Sequence, residues 1–169
     1  MSIILGIDPG SRVTGYGLIE CSGNTIGYVA SGVIRLQQTD MVARLDQLYT
    51  SLGELLVMHS PTEAAVEKVF VGKSADSALK LGQARGVAML ALARADLAIA
   101  EYAPRAIKQA VTGSGAADKR QVCDMVMRNL SLSGMPSSDA SDALAIALCH
   151  AYSANFQRVL QGRRKPLTV

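Results

Sequence analysis

Short apolar runs closed by turn residues, then apolar positions recurring every three or four residues, alternate along this chain. The first run, Ile3 to Ile7, is too short for an ordinary helix. It closes on Asp8-Pro9-Gly10, so it is predicted to be a buried strand. Thr14 to Glu20 and Thr25 to Leu36 read as two further strands, joined by a hairpin at Cys21-Ser22-Gly23-Asn24. Asp40 is an expected helix N-cap, and apolar residues from Val42 to Leu56 keep helical spacing until Pro61 stops them. Ala64 to Val69 predicts a fourth strand and Leu97 to Tyr102 a fifth, with a helix from Ala75 to Ala95 between them. Helices are then expected over Pro104 to Val111, over Asp118 to Leu130, and from about Ser138 onward. Strand, strand, strand, helix, strand, helix, strand, helices is an α/β order. It predicts one mixed five-stranded sheet with helices on both faces.

Composition narrows this picture. Of 169 residues, 49% are hydrophobic and 18% charged, which is a folded chain with a real core. A single domain is expected over residues 1–156, followed by a basic, flexible tail over 157–169. The net charge of +3 is uneven, because the tail holds four of the 17 basic residues and none of the 14 acids. The rest of the chain is nearly neutral, so local clusters must carry any case for nucleic acid. Cys21, Cys123 and Cys149 have no metal-site spacing and read as reduced thiols, which fits a cytoplasmic protein. No apolar run approaches a membrane span.

Four acids are the candidate chemistry. Pro9 keeps Asp8 extended and Gly10 allows a tight turn, so Asp8 is presented at the carboxyl end of a core strand. That is where α/β sheets place ligands. Glu67 lies inside an otherwise apolar strand, an unusual place for an acid. Asp139 and Asp142 share a face in the first turn of the last helix. Taken singly, Asp8 is also an ordinary turn cap, and the helical pair is also what a helix N-terminus attracts. Together, if strands one and four are neighbours, the four converge. A cluster of uncompensated carboxylates persists mainly where a divalent cation neutralises it. Oxygen-only ligation without His or Cys points to Mg²⁺ or Mn²⁺. Two such ions roughly 3.5–4 Å apart are the usual device for in-line phosphodiester hydrolysis.

Basic residues flank these acids. Lys68, Lys73, Lys80 and Arg85 surround the loop after Glu67, and Arg105, Lys108, Lys119 and Arg120 bracket Gly113-Ser114-Gly115. In such positions they would engage phosphates, although any one of them is also an ordinary surface residue. Phe70 heads a polar loop, where it either stacks on a base or folds into the core. Gly15 and Gly17 lie two apart and leave one strand face bare, for close packing or for a ligand. Gly82 and Gly86 lie one helical turn apart, allowing close approach of the sheet or of a second subunit.

These segments resemble one known family. Ile3 to Gly17, Glu67-Lys68-Val69-Phe70, Ala75 to Val87 and Asp139 to Ala145 are similar, in this order, to the RuvC family of bacterial Holliday-junction resolvases. The resemblance implies an RNase H-like fold of the ribonuclease H/integrase superfamily. It implies a homodimer that nicks four-way DNA junctions symmetrically, with one or two Mg²⁺ ions per subunit. Asp8, Glu67, Asp139 and Asp142 match the catalytic, metal-binding acids. Phe70 matches a base-contacting aromatic, and Lys108 and Lys119 match basic residues near the scissile phosphate. Arg12 and Lys73 complete the expected DNA-binding set. The helix with Gly82 and Gly86 corresponds to the dimer-forming helix. The branch-migration proteins RuvA and RuvB are the implied partners. Beyond Ala151 the match fades, and no role carries onto Arg163, Arg164 or Lys165. An actin-like ATPase shares the Asp-x-Gly turn, but it needs a duplicated core and a much longer chain. A nuclease of the YqgF type is a nearer alternative, and a catalytically silent, structure-specific DNA-binding dimer is a different class that the presence of all four acids argues against.

Overall fold

A computed structural model describes residues 1–69 and 74–163. Its ten elements follow the sequence pattern. Strands β1 (Ser2–Asp8), β2 (Val13–Ser22) and β3 (Thr25–Arg35) come first, then helix α1 (Met41–His59), β4 (Glu63–Glu67), α2 (Ala75–Arg94) and β5 (Ala98–Tyr102). Helices α3 (Pro104–Thr112), α4 (Lys119–Asn129) and α5 (Ser138–Arg163) follow. Asp40 caps α1 by accepting from Ala43 N–H at 3.0 Å. Asp118 and Gln121 form a capping box at the start of α4.

The sheet order is β3-β2-β1-β4-β5. The first three strands are antiparallel and β1, β4 and β5 are parallel, so β1 and β4 are neighbours as expected. Strand alternation sorts the side chains onto two faces. Leu5, Ile7, Ala64 and Val66 pack under α1 and α2. Ile4 and Ala65 pack under α3, α4 and α5. Asp8 and Glu67, one step further along, fall on the α5 face.

Helix α5 lies against β1 and β2, because three glycines strip that face bare. A Cβ at Gly6 would collide with the Ala143 carbonyl oxygen, and one at Gly15 with that of Asp139. One at Gly17 would stand 2.7 Å from the Leu144 nitrogen. Close packing, rather than a ligand, occupies the bare face. A polar brace fixes the far side of α5. A carboxylate only accepts, so His150 Nε2 donates to Glu63 at 3.0 Å, and Nδ1 shares a hydrogen bond of 2.8 Å with the Tyr102 hydroxyl.

Helix α5 continues past residue 156, where the tail was expected to begin, through Arg163. Residues 157–161 contain no helix breaker, and the first proline after them is Pro166. Among the described residues, no helix is long and apolar enough to cross a membrane.

Candidate active site

Pro9 ends β1 immediately after Asp8, and β4 ends at Glu67. The β1–β4 register runs from Ile4–Glu63 to Ile7–Val66. Asp8 and Glu67 therefore sit side by side, one residue past the last paired step. Across from them, the N-terminal part of α5 delivers Asp142, one turn after Asp139. Asp8, Glu67 and Asp142 line one cavity of about 280 Å³, together with Lys108 of α3 and Lys119 of α4. Its remaining wall is apolar, with Ile107, Val122 and Ile146 among the lining residues.

The electrostatics reflect that convergence. Burial pushes the Asp8 carboxyl up to about 7, and the charges of Glu67, Asp142 and Asp139 push in the same direction. Glu67 is raised by burial and then by Asp142, with Lys119 and Lys108 pulling the other way. Lys119 donates to Asp142 Oδ2 at 2.9 Å, and that bond raises the lysine above its ordinary value. Asp139 reaches Asp8 through its field and is not among the residues that line the cavity.

The donor set is oxygen-only and mutually repulsive, which suits a hard divalent cation. As the side chains stand, no three Asp, Glu, His or Cys among the described residues are close enough to hold one ion together. Asp142 is turned to Lys119 instead. The fit rests on the shared cavity and the raised Asp8.

The other expected residues divide. Lys108 and Lys119 face the acids. Arg12 is exposed in the turn after β1 and does not line the cavity. Phe70 and Lys73 lie outside the described residues. Lys80 pairs with Asp76 at 2.6 Å. Arg85, expected among the phosphate-facing bases, instead donates to the Glu67 carbonyl oxygen at 3.3 Å and pairs with Glu101. Sequence reasoning missed this contact, because neither a backbone carbonyl nor a partner on β5 leaves any spacing signal. Gly6 was also missed, although a glycine inside an apolar strand run was its signal.

The family model for crossover junction endodeoxyribonuclease RuvC matches residues 4–150. The chain belongs to the RuvC family. It is 51% identical to the crossover junction endodeoxyribonuclease RuvC of Psychromonas ingrahamii, over 96% of this chain and 94% of that protein. Identity to the RuvC of Chromohalobacter salexigens is 54%, over 98% of this chain and 86% of that protein. Among solved structures, T. thermophilus RuvC in complex with Holliday junction substrate superposes with a TM-score of 0.87. The two are 32% identical, and the match covers 93% of this chain and 97% of that one. RuvC membership accounts for the RNase H-like fold and makes the chain a crossover junction endodeoxyribonuclease. It also removes the ATPase and YqgF readings.

Proposed function

We propose that the chain resolves four-way DNA junctions as a homodimer, hydrolysing one phosphodiester in each of two strands with Mg²⁺, for which Mn²⁺ can substitute. The observation that carries this reading is the shared cavity. Asp8, Glu67 and Asp142 open into it from three different elements, and two lysines face them. With Asp139 added, these acids would hold one or two ions per subunit. Bound there, divalent cations supply the positive charge that in-line phosphodiester hydrolysis requires.

The chain's own groups do the rest. Lys108 and Lys119 place positive charge beside the acids, where a DNA phosphate would otherwise be repelled. Asp8 loses its proton near neutral pH, so the cluster becomes fully anionic only as a cation or a rising pH draws that proton away.

An exposed stripe on α2 supports the dimer. Leu79, Gly82, Gly86 and Leu90 recur at three- and four-residue spacing, and Leu79 is 69% exposed. Nothing lies within 4 Å of a Cβ built at Gly82 or Gly86, so this face turns away from the sheet. A second α2 packed on it would place two acid clusters in one particle. The intended setting is the cytoplasm, with RuvA and RuvB supplying the junction, and Arg12, Phe70 and Lys73 as further DNA contacts.

The test incubates a mobile four-way junction and a linear duplex of the same sequence with wild type and Asp142→Asn, in Mg²⁺ and in chelator. Paired, symmetric, Mg²⁺-dependent nicks confined to the junction and lost in the variant are expected. Tight junction binding without cleavage in any metal would leave a DNA-binding module. Equal cutting of linear duplex would make this a general nuclease.

A further inference from the structure

Glu67 stands one residue beyond the last β1–β4 pairing, at the final position of β4. On the other side, the backbone is still tied to β5, through Glu67 opposite Tyr102 and through Lys68 N–H donating to the Tyr102 carbonyl at 2.8 Å. Toward β1, the sheet no longer sets where the Glu67 peptide lies. The Glu67 carbonyl oxygen instead accepts from Arg85 Nε at 3.3 Å. The same guanidinium pairs through Nη2 with Glu101, which sits on β5 opposite Val66. The Arg85 side chain is only 21% exposed, so the contact is partly withdrawn from water.

The direction of approach matters. Ala84 and Ala88 of α2 pack on the α1–α2 face with Val66. The Glu67 side chain opens on the opposite face, into the acid cavity. Arg85 therefore holds the Glu67 backbone from behind, and the carboxylate swings in front. A guanidinium presents several N–H donors in a rigid plane, so one group can serve a carbonyl and a carboxylate together. An ammonium on a flexible stem cannot hold that geometry.

We infer that Arg85 is a positioning residue for Glu67: buttressed by Glu101, it fixes the strand-end peptide and so the reach of the carboxylate, and it ties helix α2 to the acid cluster. The inference rests on the reading of Glu67 as a catalytic acid. It assigns Arg85 no contact with DNA, although its charge and its contact with the Glu67 backbone suggest one. Because α2 also carries the exposed Leu79–Gly82–Gly86–Leu90 stripe, packing of a second subunit on that stripe bears on the helix that holds Glu67 in place.

Arg85→Lys and Glu101→Gln are the informative variants. The first keeps the charge and loses the fork. The second keeps the shape of the buttress and loses its charge. Single-turnover cleavage at saturating enzyme, junction affinity in chelator, sedimentation and the Mg²⁺ dependence of Tm are measured for each. A displaced reacting group costs on the order of 100-fold in rate. Arg85→Lys is therefore expected to cut about 10- to 100-fold more slowly, and Glu101→Gln to show a smaller loss. Both should bind junction within about threefold of wild type, since no phosphate contact is removed. Both should need more Mg²⁺ to reach half of the Tm rise. Wild-type cleavage by both variants overturns the inference. So does a loss of affinity in chelator that matches the loss of rate, which would make Arg85 a DNA contact. Dissociation into monomers would assign the effect to subunit assembly and overturn it as well. If wild type itself cuts no junction, the functional reading fails, and the Mg²⁺ midpoints still decide whether Arg85 places Glu67.

Discussion

Lys119 Nζ lies 2.9 Å from Asp142 Oδ2, so a lysine of α4 holds an acid that α5 contributes to the cluster. The pair joins α4 to α5 across the mouth of the cavity. Lys119 also lowers the pKa of Asp8 and of Glu67 through its charge. Removing it should leave both acids harder to ionise. Lys119→Met is expected to slow junction cleavage at least about tenfold, a typical scale for loss of a positioned charge. The acidic limb of its pH–rate profile should move to higher pH. A uniform loss of rate with an unmoved limb would show that Lys119 acts on DNA alone.

The raised Asp8 makes a separate statement about stability. Its carboxyl titrates at about 7 in the folded chain against an ordinary value of 3.8. The folded state therefore holds a proton that the unfolded chain has released, and stability falls as pH rises between those values. The slope for this one group is at most about 1.4 kcal/mol per pH unit. In chelator, Asp8→Asn is expected to remove that fall and to exceed wild type in Tm at pH 8. Parallel Tm-versus-pH curves for the two proteins would contradict the burial of a charged Asp8. The same variant should abolish cleavage and keep junction binding, or tighten it, since one negative charge fewer meets the phosphates.

Cation binding and proton binding compete at the same carboxylates. Adding Mg²⁺ should raise the Tm of wild type, and the concentration giving half of that rise should drop between pH 6 and pH 8. In Asp8→Asn the rise should be small. A Mg²⁺ midpoint independent of pH would place the ion away from Asp8 and Glu67.

Two glycines should respond in opposite ways. A Cβ at Gly15 meets the Asp139 carbonyl, so Gly15→Ala must push away the turn of α5 that carries the acids. A loss of about 1–3 kcal/mol, the usual cost of overpacking, is expected together with loss of cleavage. Gly53, inside α1 and away from the α2 stripe, has open space around it, so Gly53→Ala should cost nothing, and should add up to about 1 kcal/mol through helix propensity. Equilibrium denaturation of both variants checks the contrast.

Leu79 tests the dimer. It is exposed at the edge of the bare α2 stripe, so Leu79→Glu should leave the fold and its Tm intact in the monomer. Sedimentation should show dissociation, and paired nicking should fall away with it. An unchanged dimer would move the interface off α2.

Local rules settled much of this protein. The strand ending at Asp8-Pro9-Gly10, the Asp40 and Asp118 caps, and the helical spacing of Val42 to Leu56 are decided by neighbours in the chain, and each element forms where its residues require. The four candidate acids stood out as a set, although only Glu67, a carboxylate in an apolar strand, departs from a local expectation. What the chain order could not decide was distance. Only the packing of α5 onto Gly6, Gly15 and Gly17 brings Asp142 to Asp8 and Glu67, because backbone can approach backbone only where no Cβ intervenes. The separation of Asp139 from Asp142 at the cavity, the Lys119–Asp142 bond and the grip of Arg85 on the Glu67 carbonyl join residues 18 or more positions apart or depend on side-chain direction. Such contacts are set by how the layers stack, and no spacing along the sequence encodes them.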